Sequence, residues 1–149
     1  MSKLLRSLSF FLVLAGLPLI VAAAGLPVVD LYKNASCSCC GAWEKHMQAA
    51  GFRVRVHLSE DINATRARMG MPADYASCHT ARIGDYLLEG HVPASDVRRL
   101  LVERPRAIGL AVPGMPLGAP GMEAPRAQGY DTLLVLPKGS RVFQRHPVK

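Results

Sequence analysis

An α/β domain, a sheet with flanking helices, is the fold class this sequence predicts, on three observations. Short apolar runs alternate with segments rich in helix formers from Leu26 to Met69. A C-x-x-C pair, Cys37 and Cys40, falls where the first apolar run gives way to the first helical segment. Further on, two strand-like segments flank Gly84-Asp85, the two-residue turn of a hairpin. The β–dithiol–α–β–α order is the opening of a thioredoxin-like unit, in which the first thiols sit at a helix N-terminus.

The first segment stands apart from the fold. Lys3 and Arg6 form a positive n-region, and Leu8 to Ile20 is apolar but for Ser9, Gly16 and Pro18. Ala22-Ala23-Ala24 then supplies the small residues of a cleavage site, so residues 1–24 read as a signal peptide and residues 25–149 as one thioredoxin-like domain. An uncleaved anchor competes, because the apolar run to Val29 is almost long enough to span a bilayer. Pro18 and the alanines favour cleavage, and either reading exports the chain.

Leu26 to Tyr32 reads as a buried strand, and the cysteine cluster follows at a loop-to-helix junction. Ala42 to Ala50 is rich in helix formers and stops at Gly51. Phe52 to Leu58 alternates with period two, the pattern of a half-buried strand. Ser59-Glu60-Asp61 offers capping residues for a helix closed by Gly70. Ser77 to Ile83 and Tyr86 to Val92 form the hairpin. Pro93 suits the first turn of a helix over Ala94 to Glu103, with Val97, Leu100 and Leu101 on one face. Ala107 to Gly129 has no helical or strand period and reads as a long Gly/Pro/Met loop added to the sheet. Its apolar residues and methionines point to an ordered site loop rather than a disordered one. Thr132 to Leu136 and Arg141 to Gln144 supply a final hairpin.

The formal charge of +7 falls to +5 once Lys3 and Arg6 leave with the signal peptide. The remaining basic residues are scattered in pairs such as Arg53/Arg55 and Arg98/Arg99, without interleaved aromatics. That excludes a nucleic-acid footprint and leaves a solvated basic surface. No membrane partner is expected after signal cleavage.

Cys37, Cys39 and Cys40 place three thiols within four residues, and Cys78 is the only other cysteine. In an oxidising compartment four cysteines can pair. Only Cys37–Cys40 with Cys39–Cys78 avoids a very small strained ring. The other reading is that metal keeps the thiolates occupied. Cys39 is redundant for a simple dithiol switch, whereas a third thiolate suits a soft metal such as Cu(I) or zinc. Thiols at a helix N-terminus are more often thiolates, the form that binds metal.

The remaining candidates are His and Met. His46 lies along the same helical stripe as Trp43 and either points back toward the thiols or faces solvent; Trp43 reads as core. Cys78 and His79 are adjacent on a strand and alternate faces, so Cys78 is preferred unless the strand ends there. His91 sits at a strand-to-helix junction. His57 and His146 read as ordinary surface residues. Met115 and Met122 occur in repeated Pro-Gly-Met settings without a periodic apolar face, and thioether sulfur is a soft ligand for Cu(I). Gap filling is the alternative for each, and Met69 and Met71 either join the site or pack.

Cys37-Ser-Cys-Cys40 with Trp43 and His46, Ser77-Cys-His-Thr80, Gly90-His-Val-Pro93, Gly109-Leu-Ala-Val-Pro-Gly-Met-Pro116 and Gly121-Met-Glu123 resemble the CopG-type periplasmic copper-resistance proteins. The motifs occur in the family's order from about Val28 to Phe143. The resemblance implies a thioredoxin-like fold, periplasmic location, copper as the bound metal, and a role in copper redox handling. It carries over Cys37, Cys39, Cys40 and Cys78, together with His46, His79, His91, Met115 and Met122, as metal-site positions. Copper ions are the implied partner, with other periplasmic copper-handling proteins as candidate protein partners. Zinc is the weaker alternative, because methionine does not suit it. Whether the chain is a copper-dependent oxidoreductase is left open by the residues. Two other classes compete: a periplasmic thiol–disulfide oxidoreductase, and a disulfide-stapled module that binds a protein.

Overall fold

The computed structural model describes residues 25–148, so the expected signal peptide lies outside the described residues. Among these residues no helix is long and apolar enough to cross a membrane. The fold is mixed α/β. Strands β1 (Val29–Lys33), β2 (Val54–Leu58), β3 (His79–Ile83), β4 (Tyr86–Gly90), β5 (Gly109–Val112), β6 (Tyr130–Val135) and β7 (Ser140–His146) form one sheet. Its order is β2-β1-β3-β4-β5-β6-β7. Helices α1 (Ser38–Ala49), α2 (Ile62–Met69) and α3 (Ala94–Glu103) flank it.

The parallel pairs, β1 with β2 and β4 with β5, each bracket a helix in sequence. Such pairs need a crossover of that length. The antiparallel β3–β4 pair closes directly through Gly84-Asp85.

Side chains alternate between two cores. Val29, Leu31, Ala81, Ile83, Leu88, Leu110 and Leu134 meet Trp43 and Met47 of α1 and Val97 and Leu100 of α3. Leu87, Ala111 and Val135 point the other way, onto Met71, with Met69, Tyr75 and Ile108 packed around them. Met69 and Met71 therefore pack. The central strands are covered on both faces, which is why β4 and β5 read as almost continuous apolar runs.

Local signals end the helices as expected. Asp61 caps α2, its Oδ1 accepting from the Ala64 N–H at 2.9 Å, and Gly70 closes the helix in a left-handed conformation. Helix α1 begins at Ser38, earlier than Ala42, with Cys37 as its N-cap residue. The cysteines thus occupy the N-cap and first turn.

The largest departure lies between Ala107 and Gly129. This span contains β5, an interior strand between β4 and β6, before 113–129 runs on without helix or strand. A four-residue strand beginning with glycine has too few residues to display a period. Gly109 is there for a steric reason: a Cβ at this position would lie 1.8 Å from the Leu87 carbonyl oxygen.

His57 and His146, expected to be plain surface residues, are both engaged. His57 Nε2 lies 2.7 Å from Asp30 Oδ1, with its ring stacked on Tyr32. His146 Nε2 lies 2.9 Å from Asp96 Oδ2 and 3.1 Å from Thr132 Oγ1, with its ring stacked on Tyr130.

Candidate metal centre

The site forms where the N-terminus of α1 meets the beginning of β3 and the end of β4. Cys37 and Cys40 are joined by a disulfide, with Cα atoms 5.4 Å apart. Cys39 and Cys78 are free thiols. Cys39 Sγ lies 3.5 Å from Cys37 Sγ and 3.7 Å from Cys78 Sγ, so it links the disulfide to the far side of the site. Of the two pairings that avoid a small ring, one is bonded and the other consists of neighbouring thiols.

Cys78 precedes β3, and this position settles the alternation question. Because the strand starts at His79, both side chains can turn to the same side: Cys78 Sγ is 3.4 Å from His79 Nδ1. Cys78 Sγ also lies 3.1 Å from His91 Nε2. His91 Nδ1 is 2.8 Å from the Pro120 carbonyl oxygen, which can only accept. His91 therefore donates from Nδ1 and presents Nε2 as an acceptor to the Cys78 thiol. Burial, and then the neighbouring Cys39, push the Cys78 thiol up to about 12. The metal-free site accordingly holds a thiol at Cys78 rather than a thiolate.

His79 is fully buried, its ring packed on Trp43 at 4.6 Å and edge-on to His91 at 5.1 Å. Burial, then the neighbouring His91, pull its imidazole down to about 3. Its Nε2 has no hydrogen-bond partner. The ring nitrogen that faces Cys78 is Nδ1, and a neutral imidazole there can offer a lone pair to a metal. Trp43 anchors the wall, its Nε1 donating to the Val92 carbonyl at 2.9 Å.

Two groups of donors fall within 4.8 Å of one another: Cys37, Cys39, Cys40 and Cys78, and Cys78, His79 and His91. Cys78 belongs to both. The donor set is thiol sulfur and neutral imidazole, without a carboxylate, and that chemistry fits a soft or borderline ion such as copper or zinc. Engaging all four sulfurs requires the Cys37–Cys40 bond to be reduced first, which takes two electrons and two protons.

The other candidates sit around this centre. His46 belongs to neither group: its Nε2 accepts from the Ala94 N–H at 3.0 Å, at the start of α3. Met115 is 55% exposed. It follows Gly114, whose carbonyl accepts from Ser77 Oγ and whose N–H donates to the Ala76 carbonyl at 3.0 Å. Met122 is half-buried, in a turn closed by hydrogen bonds to Ala119 and from Gly118. Next to it Gly121, at φ +82°, rests on α1: a Cβ there would lie 2.7 Å from Trp43 N and 2.9 Å from Cys39 O. Segment 113–129 thus reaches the site by backbone, through Pro120 to His91 and through Gly121 to α1.

Three further residues hold the site and escaped sequence reasoning. Arg66 and Glu89 form a buried ion pair that grips the backbone of Ser77, and the Pro120 carbonyl orients His91. The one legible signal was a carboxylate inside the apolar run Tyr86-Leu-Leu-Glu-Gly90, since a buried charge demands a partner.

This fold and donor set define a cysteine-rich α/β protein with side-chain groups able to hold a metal ion. A family model described as "Protein of unknown function, DUF411" matches residues 75–122. The solved structure of "Copper resistance protein copG", form 2, is 40% identical with a TM-score of 0.78, and the match covers 83% of this chain and 100% of that one. Form 1 is 41% identical with a TM-score of 0.76, covering 82% of this chain and 99% of that one. Among curated proteins none matches. The chain belongs to the CopG-type copper-resistance family.

Proposed function

We propose that this is an exported copper-binding protein of copper resistance that works in the periplasm after its signal peptide is removed. Copper is its cargo, held by Cys37, Cys39, Cys40 and Cys78 with His79 and His91. The observation that carries this reading is the convergence of four sulfurs and two imidazoles on shared Cys78. Thiolate donors favour Cu(I), and the imidazoles suit Cu(II) as well, so the mixed set is suited to interconverting the two states. Met115, Met122 and His46 belong to the approach around these donors. The β2-β1-β3-β4 order, with β1 parallel to β2 and antiparallel to β3, supports the thioredoxin-like reading of the first half of the sheet.

In this reading the protein's own groups do the following. The free N–H groups of the first turn of α1, with Cys37 at its N-cap, face the thiol end of the site and favour negative charge there. Pro120 fixes the His91 tautomer with the proton on Nδ1, so that Nε2 keeps its lone pair for the metal, and the Cys78 proton leaves to solvent as that sulfur becomes a ligand. Trp43 backs the His79 ring, and segment 113–129 lies over the start of α1 through Gly121.

Copper-free, reduced protein titrated with Cu(I) against a colourless chelator tests the proposal. Retention of Cu(I) well above Zn(II) is expected, and Cys39→Ser should lose most of the bound copper while keeping its fold. Equal or stronger retention of zinc overturns the copper reading. A wild-type copper load in Cys39→Ser, together with strong disulfide-reductase activity, favours the thiol–disulfide oxidoreductase instead.

A further inference from the structure

We infer that Arg66 and Glu89 are positioning residues that set the Cys78 thiol against Cys39 by clamping both backbone groups of Ser77. Glu89 Oε1 accepts from the Ser77 N–H at 2.7 Å and from Arg66 Nε at 2.9 Å. Arg66 Nη2 donates to the Ser77 carbonyl at 2.6 Å, and Nη1 donates to Asn63 Oδ1 at 2.6 Å. One residue's N–H and C=O are therefore held by two members of one ion pair, anchored on α2 and β4.

Stability alone is a poor reason for this arrangement. The Arg66 and Glu89 side chains are 2% and 0% exposed, so both charges are withdrawn from water. Burial raises the Glu89 carboxyl against the opposing pull of Arg66. A buried ion pair seldom stabilises a fold more than apolar residues of the same size, because desolvation offsets the attraction. What the pair contributes is direction. Ser77 lies outside the β3 ladder, so without the clamp its backbone groups have no strand partner. On its far side Ser77 Oγ donates to the Gly114 carbonyl, which ties the same residue to segment 113–129.

Cys78 is the next residue, and its sulfur has close neighbours at 3.7 Å (Cys39) and 3.1 Å (His91). A displacement of about 1 Å removes contacts of this kind, which is why supporting residues matter for a site's geometry. Lysine cannot replace Arg66 in this role. An ammonium keeps the charge but lacks the planar fork that reaches Glu89, Ser77 and Asn63 together.

The functional meaning of the clamp rests on the reading of Cys78 as a copper donor, but its test uses no copper. In a Cys37→Ser/Cys40→Ser background only Cys39 and Cys78 remain of the chain's cysteines. Glutathione disulfide oxidises this pair, one protein disulfide forming as two glutathione thiols are released. The equilibrium constant gives the effective concentration of one thiol at the other. Arg66→Lys should lower it about tenfold or more, the usual cost of losing an outer-shell support. Asp96→Asn serves as control, since it disturbs another buried carboxylate, the partner of Thr132 and His146, and touches no cysteine. It should lower thermal stability and leave the thiol equilibrium at the wild-type value.

An unchanged equilibrium in Arg66→Lys overturns the inference. So does an equal fall in Asp96→Asn, which would mean general loosening. Should Arg66→Lys fail to fold, the double replacement Arg66→Met/Glu89→Leu keeps apolar volume while removing both contacts to Ser77, and a wild-type equilibrium in that variant overturns the inference equally. Failure of the copper proposal would leave these outcomes untouched.

Discussion

Replacing Gly121 by alanine asks whether segment 113–129 is held on the thiol helix by backbone contact. Gly121 adopts φ +82°, a conformation that costs an alanine about 1–2 kcal/mol. The added methyl would also stand 2.7 Å from Trp43 N and 2.9 Å from Cys39 O. Both are backbone atoms of α1 and cannot rotate aside, and overpacking of this kind costs about 1–3 kcal/mol. The two costs together, about 2–5 kcal/mol, lower the unfolding midpoint by roughly 10 °C or more in a domain of this size. If the segment instead peels away locally, the midpoint falls less, but the Pro120–His91 hydrogen bond opens and the thiols are uncovered. Thermal unfolding followed by circular dichroism, paired with the rate at which a thiol-specific dye labels Cys39 and Cys78, distinguishes the two responses. Either a lowered midpoint or faster labelling is expected. A midpoint within about 1 °C of wild type, with labelling unchanged, would refute the contact.

Met115→Leu and Met122→Leu keep apolar volume while removing a soft donor, so stability should change by less than about 1.5 kcal/mol. Cu(I) affinity should fall more for Met122, beside Gly121 on α1, than for exposed Met115; wild-type affinity and sulfur count by X-ray absorption in both would make the segment a packing lid. Asp30 is held down to about 2 by its hydrogen bonds to Arg55 and then to His57. Its folded value lies below its ordinary 3.8, so its contribution is present above that pH and is lost as the pH falls toward about 2. Asp30→Asn should therefore be less stable than wild type at neutral pH, by up to about 1 kcal/mol for so exposed a pair, and should converge with it in acid. A constant difference between the two denaturation curves across that range would contradict the assignment.

What the sequence by itself determined was whatever depends on near neighbours along the chain. Cys37, Cys39 and Cys40 could be placed at a helix start because a strand, a short turn and helix formers follow one another. Gly84-Asp85, Asp61 and Gly70 announced a turn and two helix ends through their own conformational preferences. The repeated Pro-Gly-Met settings marked 113–129 as more than a linker, and the family's motifs were readable in order. Strand β5 was hidden, because four residues beginning at Gly109 carry no period and the need for glycine comes from Leu87 on another strand. His46 shows the limit of helical spacing: it shares the thiol helix, yet the start of α3 takes its ring nitrogen. His79 shows the reverse, since alternation predicted opposition to Cys78 until the strand began one residue later. Only the tertiary structure decided that Arg66 of α2 and Glu89 of β4 would meet around Ser77, and that Pro120 would orient His91. Each of these contacts joins segments distant in sequence, and their partners are chosen by how the sheet stacks its strands, which no local pattern of residues records.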